Sequence, residues 1–332
     1  MSPVYKRPRS PEARFHFTVL TPTYNRAHTL ARVYESLLEQ SYQSFEWVVV
    51  DDGSTDHTAQ LVAQWQREAS FPITYHWQAN QHKKSAFNLG VRVAQGELIV
   101  VLDSDDTLLP DSLYEMVSVW WSLPDDKRSK YVGVTGLCQQ PGGAIVGDLF
   151  PYDNLDATAL DLYFKYRVRG EKFGCLARDV LLEFPFPQYP GFVPESLVWR
   201  AIARAGYKHR FVNKVFRVYY PEPDSLSAQG KESTQHALGL WLLAQDTLAL
   251  CMPWFRYDPR SFLMFAVRYV RFRLHMMRQG HKPPARLSPL GWGARLQVAL
   301  MAPVGGLLFL RDLWRERSAA RAHAHPPRDH CK

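Results

Sequence analysis

Residues 97–106 read ELIVVLDSDD. The apolar run Leu98–Leu102, three of its five residues β-branched, is short and ends abruptly in acid, so it reads as a buried strand. Asp103, Asp105 and Asp106 follow it within four positions. Carboxylates so close repel one another unless a cation or hydrogen-bond donors compensate, and alternate positions can aim two oxygens at one ion. The pattern therefore asks for Mn²⁺ or Mg²⁺ at Asp103 and Asp105. An Asp-rich turn before a helix starting near Asp111 would use the same letters; the position at a strand end favours the ion.

Working outward, similar runs precede this one: FHFTVLT (15–21), FEWVVVD (45–51) and ITYHW (73–77), with ELIVVLD (97–103) as the fourth. Between the first two, Leu30, Val33, Leu37 and Leu38 fall on one helical face. Ser54 or Asp56 caps a second helix through Leu61 and Trp65, and Ser85 opens a third through Phe87, Leu89 and Val93. Four β-α repeats in about 105 residues predict an α/β chain with an open, mostly parallel, doubly wound, Rossmann-like sheet, whose ligands sit beyond the carboxyl ends of the strands.

The loops at those ends carry chemistry. In TPTYNR, Thr21, Tyr24 and Arg26 face the expected crevice, where Tyr24 can stack on a base and Arg26 can meet phosphate. In VVVDDGSTD, Asp51 and Asp52 can accept from a base N–H or a ribose hydroxyl, while Gly53 permits the turn. Lys83 and Lys84 stand just before a helix N-terminus, a place that favours anions. Each loop alone has a plain structural use; all four on one edge describe a nucleoside diphosphate site.

TPTYNR, VVVDDGSTD, the segment Lys83…Asn88-Leu89-Gly90 and LDSDD together resemble the inverting glycosyltransferases of family 2, which have the GT-A fold. The later stretches RGEKFGCLARDVLLEFPFPQYPGFVPESLVWRAI and YYPEPDSLS resemble members that build capsular polysaccharide or lipopolysaccharide, extending the likeness to about residue 230. The resemblance implies that Tyr24 and Asp52 hold the nucleoside, that Asp103 and neighbouring Ser104 contact the donor, and that Asp105 binds the metal. It also implies a base that takes the acceptor's proton. Where such proteins commonly have an acidic pair, this chain has Glu195-Ser196, which leaves Glu195 as the base candidate. Asn80-Gln81-His82 replaces the glycine pair often found in the lysine loop.

The whole chain has 332 residues and 38.3 kDa, 46% hydrophobic and 22% charged, which excludes a wholly disordered, collagen-like or coiled-coil protein. Its charge is uneven: residues 1–230 hold 24 basic and 26 acidic side chains, residues 231–332 hold 16 and 6. Past Ser227 the pattern turns helical, with aromatics alternating with Arg268, Arg271 and Arg273, a composition suited to an anionic membrane surface or to a helical cap. A third apolar run, Val298–Leu310, is interrupted by Pro303, Gly305 and Gly306; at about 13 residues it falls short of the ~20 that span a bilayer. The expected divisions are a tail at 1–14, a GT-A domain at 15–227 with halves 15–120 and 121–227, a basic helical region at 228–318, and a disordered tail at 319–332.

Four scattered cysteines read as free thiols, and the charged, proline-containing N-terminus does not read as a secretory signal, so the expected location is the cytoplasm or, peripherally, the membrane's cytoplasmic face. The expected partners are a nucleotide-sugar donor and a glycan or lipid-linked acceptor, with no nucleic acid. Two alternatives share the nucleotide crevice: a sugar nucleotidyltransferase, which would favour a glycine-rich loop where TPTYNR stands, and a catalytically silent binding subunit.

Overall fold

The computed structural model describes residues 13–221, 234–285 and 287–324. β1 (Phe15–Thr23), β2 (Phe45–Asp51), β3 (Ile73–Trp77) and β4 (Gly96–Val101) alternate with α1 (Ala27–Leu38), α2 (Thr58–Glu68) and α3 (Lys83–Val93). There follow β5 (Thr107–Leu108), α4 (Ser112–Trp121), α5 (Asp125–Arg128), β6 (Tyr131–Gln139), β7 (Leu155–Ala157), β8 (Lys172–Ala177), α6 (Arg178–Glu183), α7 (Ser196–Arg204) and β9 (Lys208–Val218). The strand order is β3-β2-β1-β4-β8-β6-β9-β5, with β7 on β9.

The first four strands are mutually parallel, with Leu20 opposite Val48 and Val101. β1 lies between β2 and β4, so successive crossovers leave it on opposite sides and open a crevice at its carboxyl end. β8 then pairs antiparallel with both β4 and β6, making the sheet mixed beyond the fourth strand. Every residue of β2 is buried, as a continuous apolar run covered on both faces should be. Tyr34 stacks on Trp65 at 4.7 Å and on Trp47 at 6.1 Å, joining α1 and α2 to the sheet. Gly90 permits α3 to lie against β1, since a Cβ there would come within 2.1 Å of Leu20 Cδ1.

The chain divides into two compact units, residues 1–188 with 198–228, and residues 189–197 with 229–332. The segment containing Glu195 thus groups with the later helices rather than with the rest of 15–227. The second unit holds α8 (Ala237–Leu250), α9 (Pro259–Arg278) and α10 (Trp292–Ala324). Leu238, Trp241 and Leu242 of α8 pack with Phe272 and Met276 of α9. Between α9 and α10, Arg271 Nε donates to Asp312 Oδ2 at 2.7 Å, His275 Nε2 approaches the same oxygen at 3.1 Å, and Arg278 pairs with Glu316 at 2.7 Å. A Cβ on Gly305 would lie 2.9 Å from Val267 O. The contacts advance together along both helices, so the two run parallel.

α10 corrects the expectation of an interrupted run: 33 residues are helical straight through Pro303, Gly305 and Gly306. Its stretch Trp292–Ser318 is long and apolar enough to cross a membrane by length and composition. It also carries helix to Ala324, into the tail expected to be disordered from 319. The expected N-terminal tail up to Glu12, most of YYPEPDSLS after Pro221, and residues 325–332 lie outside the described residues.

Candidate active site

The loops after β1 and β2 are stitched to each other. Asn25, in the left-handed region at φ 52°, donates its N–H to Ser54 Oγ at 2.8 Å and accepts from Thr55 N at 2.8 Å. Ala27 N donates to Asp56 Oδ2 at 3.0 Å, so Asp56 stabilises the start of α1 as well as bonding Thr58 ahead of its own helix. Asp51 is spent inside this construction: Ser54 N and Tyr75 Oη donate to its two oxygens at 2.7 and 2.6 Å. Asp52 accepts at Oδ1 from Gln78 Nε2 and Gln81 N, at 2.7 and 2.9 Å. Gly53, at φ 91°, turns the chain between them, and a Cβ would press to 3.0 Å from Asn80 N.

Thr21 is fully buried, and its hydroxyl accepts from Trp47 Nε1 at 3.0 Å, which leaves it no surface for a ligand. Tyr24 is half exposed. Arg26 sits at the N-terminal boundary of α1, its carbonyl accepting from Leu30 N. Ser104 is buried, and its carbonyl accepts from Thr29 Oγ1 at 2.8 Å, tying the aspartate loop to α1.

At the end of β4 the charges converge. Lys83 Nζ lies 2.6 Å from Asp103 Oδ1, and Arg217 Nη1 of β9 lies 3.9 Å from Asp103 Oδ2. Burial works to raise the Asp103 pKa, but these two cations outweigh it and hold the carboxyl below its ordinary range. Asp105 goes the other way: burial and the charge of Asp103 raise it against the pull of Arg26 and Lys83. Asp106 is buried, accepts from Tyr220 N at 3.0 Å and stands 3.1 Å from Arg217 Nη1. Burial pushes it up to about 7 despite the arginine.

Sequence reasoning found Asp103 and Asp105 but missed Arg217. Its side chain is 6% exposed and reaches Asp103, Asp106 and Glu171, with Nε and Nη2 making no hydrogen bond among the described residues. No local signal marks it: FRVYY is an ordinary strand sequence, and Asp103 and Asp106 lie more than a hundred positions away.

The lysines differ from expectation in placement. α3 starts at Lys83, so both occupy its first turn rather than preceding it. Lys84 is buried, and burial lowers its pKa. His82, in the segment Asn80-Gln81-His82, adopts φ 69°, a left-handed backbone that a side chain accepts only at a cost. Glu195 is exposed immediately ahead of α7 and belongs to the second unit, whereas the aspartate cluster is built wholly by the first.

The donor set fits a divalent cation in part. The half-buried Asp105 carboxylate forms no ion pair among the described residues and is raised by a neighbouring like charge, so a cation there relieves a real repulsion. Among the described residues, no three His, Cys, Asp or Glu side chains gather as a complete cage. Two carboxylates with the remaining oxygens from phosphates and water is the usual way Mg²⁺ is held at phosphate sites.

A crevice at the switch point of a partly parallel sheet, rimmed by carboxylates and cations, defines a nucleotide-binding α/β protein with the GT-A fold. Residues 18–126 match the family model described as Glycosyl transferase family 2. The succinoglycan biosynthesis protein ExoO of Rhizobium meliloti is 30% identical over 190 residues, covering 57% of this chain and 45% of that protein. Among solved structures, TarS residues 1–349 of S. aureus with UDP-GlcNAc aligns with a TM-score of 0.56 at 18% identity, covering 79% of this chain and 72% of that one. A mannosyltransferase from Pyrobaculum calidifontis with GDP-Man and Mn²⁺ aligns with a TM-score of 0.53 at 20% identity, covering 96% and 88%. These two similarities show the fold. The matches span less than half of the length of the curated relatives, between 14 and 45% for the first six.

Proposed function

We propose that the chain transfers a sugar from a nucleoside diphosphate donor, a UDP-sugar, to a hydroxyl of a surface glycan or its lipid-linked precursor, with inversion at the anomeric carbon. One observation carries this reading: among the described residues Asp105 forms no ion pair, and it stands beside Asp103, whose own charge is drawn toward Lys83 and Arg217. Asp103 and Asp105 would hold Mn²⁺ or Mg²⁺, which supplies neutralisation of the charge that grows on the leaving diphosphate. The nucleotide sugars and Mn²⁺ in the two similar structures support the same chemistry.

The protein's own groups do the rest. Lys83, in the first turn of α3, is placed where backbone N–H groups and the helix dipole favour an anion, so it can exchange Asp103 for a phosphate oxygen. Tyr24 offers an exposed ring to the base, and Asp52, bonded at Oδ1, accepts from the nucleoside with Oδ2. Glu195 takes the proton from the acceptor hydroxyl as it attacks, giving a β-linked product from an α-linked donor. The reaction belongs on the cytoplasmic side, in keeping with Cys138, Cys175 and Cys251, all buried free thiols.

Thermal unfolding with UDP, GDP, dTDP and CDP, each with and without Mn²⁺, tests the assignment. UDP should stabilise the chain by about 2.7 kcal/mol at a hundred times its Kd, and more strongly with the metal than without it. A melting curve unmoved by every nucleotide sinks the proposal.

A further inference from the structure

α10 presents a face that no described residue of its own unit covers. Trp292, Leu296, Leu300, Leu307, Leu310 and Trp314 are each more than half exposed, at 82, 61, 64, 67, 59 and 68%. At 100° per residue they fall on one side of the helix, and together they form an apolar stripe about 33 Å long with an indole near each end. The opposite side is occupied: Ala294, Gly305 and Asp312 are buried, Gly305 against Val267 and Val270 of α9, and Asp312 against Arg271 and His275.

The charge pattern says what would cover the stripe. Residues 296–310 contain no charged side chain, whereas Arg295 stands before them and Arg311, Arg315 and Arg317 after them, all four exposed. A soluble protein rarely leaves so long an apolar strip open to water, and tryptophans at its borders with arginines beside them match the boundary between acyl chains and anionic head groups. We propose that α10 lies in the plane of an anionic bilayer surface, with the Trp292–Trp314 stripe among the upper acyl chains and the arginines on lipid phosphates.

Spanning would be the other use of a helix this apolar, and the packing argues against it. α9 runs parallel beside α10 and joins it through Arg271, His275 and Arg278, so a buried α10 would carry these groups and their partners Asp312 and Glu316 toward hydrocarbon. Lying flat keeps that polar seam on the aqueous side of the helix. The inference does not depend on sugar transfer.

Sedimentation of the full chain with vesicles tests it, without donor or acceptor. Vesicles of equal parts phosphatidylglycerol and phosphatidylcholine should carry the chain down, and pure phosphatidylcholine should carry much less. Leu300→Glu with Leu307→Glu, both at exposed positions, should weaken binding by at least about tenfold while the melting temperature stays put. Arg311→Gln and Arg315→Gln should each cost about fivefold on anionic vesicles only. The proposal is overturned if the wild-type chain stays in the supernatant, or if the double glutamate variant binds like wild type. It is equally overturned if the unaltered chain is a vesicle-indifferent dimer that the glutamates split. Protein in native membranes should be released by alkaline carbonate; retention there would replace the in-plane arrangement with a spanning one.

Discussion

The two compact units bury charge in opposite ways. In the second, Asp312 receives Arg271 and His275 on one oxygen, and the neighbouring Glu316 is closed by Arg278 and by Thr234 Oγ1 at 2.9 Å. In the first, Asp103, Asp105 and Asp106 crowd together, and among the described residues Asp105 has no ion pair and two nitrogens of the buried Arg217 go without a hydrogen bond. Matched charges hold helices in register. On the proposed function, the mismatched ones await a ligand that carries both signs, such as a metal diphosphate, whose binding would relieve the repulsion.

The comparison breaks most sharply at Asp105. Asp105→Asn should cut transfer by about a thousandfold, the scale for removing a major charge-stabilising group, and should abolish the extra stabilisation that Mn²⁺ adds to UDP. Thermal stability without ligand should hold or rise, since a repulsive charge is removed. A drop in the unliganded melting temperature would instead make the cluster structural.

Asp312→Ala is the counterpart in the second unit. It removes the carboxylate that Arg271 and the buried His275 share and should destabilise by about 3 kcal/mol, read from denaturant unfolding. Nucleotide-dependent shifts from the first unit should survive in kind. If Asp312→Ala were neutral, the contrast between a closed and an open charge cluster would fail at its closed end.

Smaller again is Glu195→Gln. Loss of acid-base help should lower transfer by about a hundredfold while UDP affinity stays within a factor of about two. Turnover like wild type removes Glu195 from the role of base.

How much of this was legible in the chain follows from how local each signal is. β2 and β3 occupy the residues that their runs of β-branched and aromatic side chains predict, since those side chains favour the extended, pleated backbone whether the strand is buried like β2 or at the edge like β3. Asp103 and Asp105 were readable because they follow such a strand directly. Arg217 was not, because its meaning comes from the pairing of β9 with β5 and β6, which brings it beside a loop 114 positions earlier at Asp103. α10 was misread for the complementary reason. Pro303 and Gly305-Gly306 are genuine local breakers, but Pro303 faces solvent and Gly305 supplies the close approach to Val267 and Val270, so tertiary packing overrides the local preference. Thr21 shows a third limit: a hydroxyl at a strand end looks available until Trp47 is seen to take it.

The smallest effect concerns pH, and it separates the sheet from the charge clusters. His209 on β9 is buried, bonds Thr135 Oγ1 through Nδ1 at 2.9 Å and stacks on Phe211 at 5.2 Å. Burial lowers its pKa to about 4, so the native state resists a proton that the unfolded chain accepts near 6.5. Between those values the unfolded state binds more protons at this site, so the His209 contribution to stability falls as pH falls, by about 2 kcal/mol between neutrality and about pH 5, while the raised Asp106 contributes with the opposite sign over the same window. His209→Gln keeps a polar partner for Thr135 but cannot titrate. Urea unfolding of that variant should lose this acid-side slope while retaining whatever part comes from Asp103, whose lowered pKa acts below the ordinary carboxylate range. An unchanged slope would place the acid sensitivity of this chain in its aspartates rather than in the β9 core.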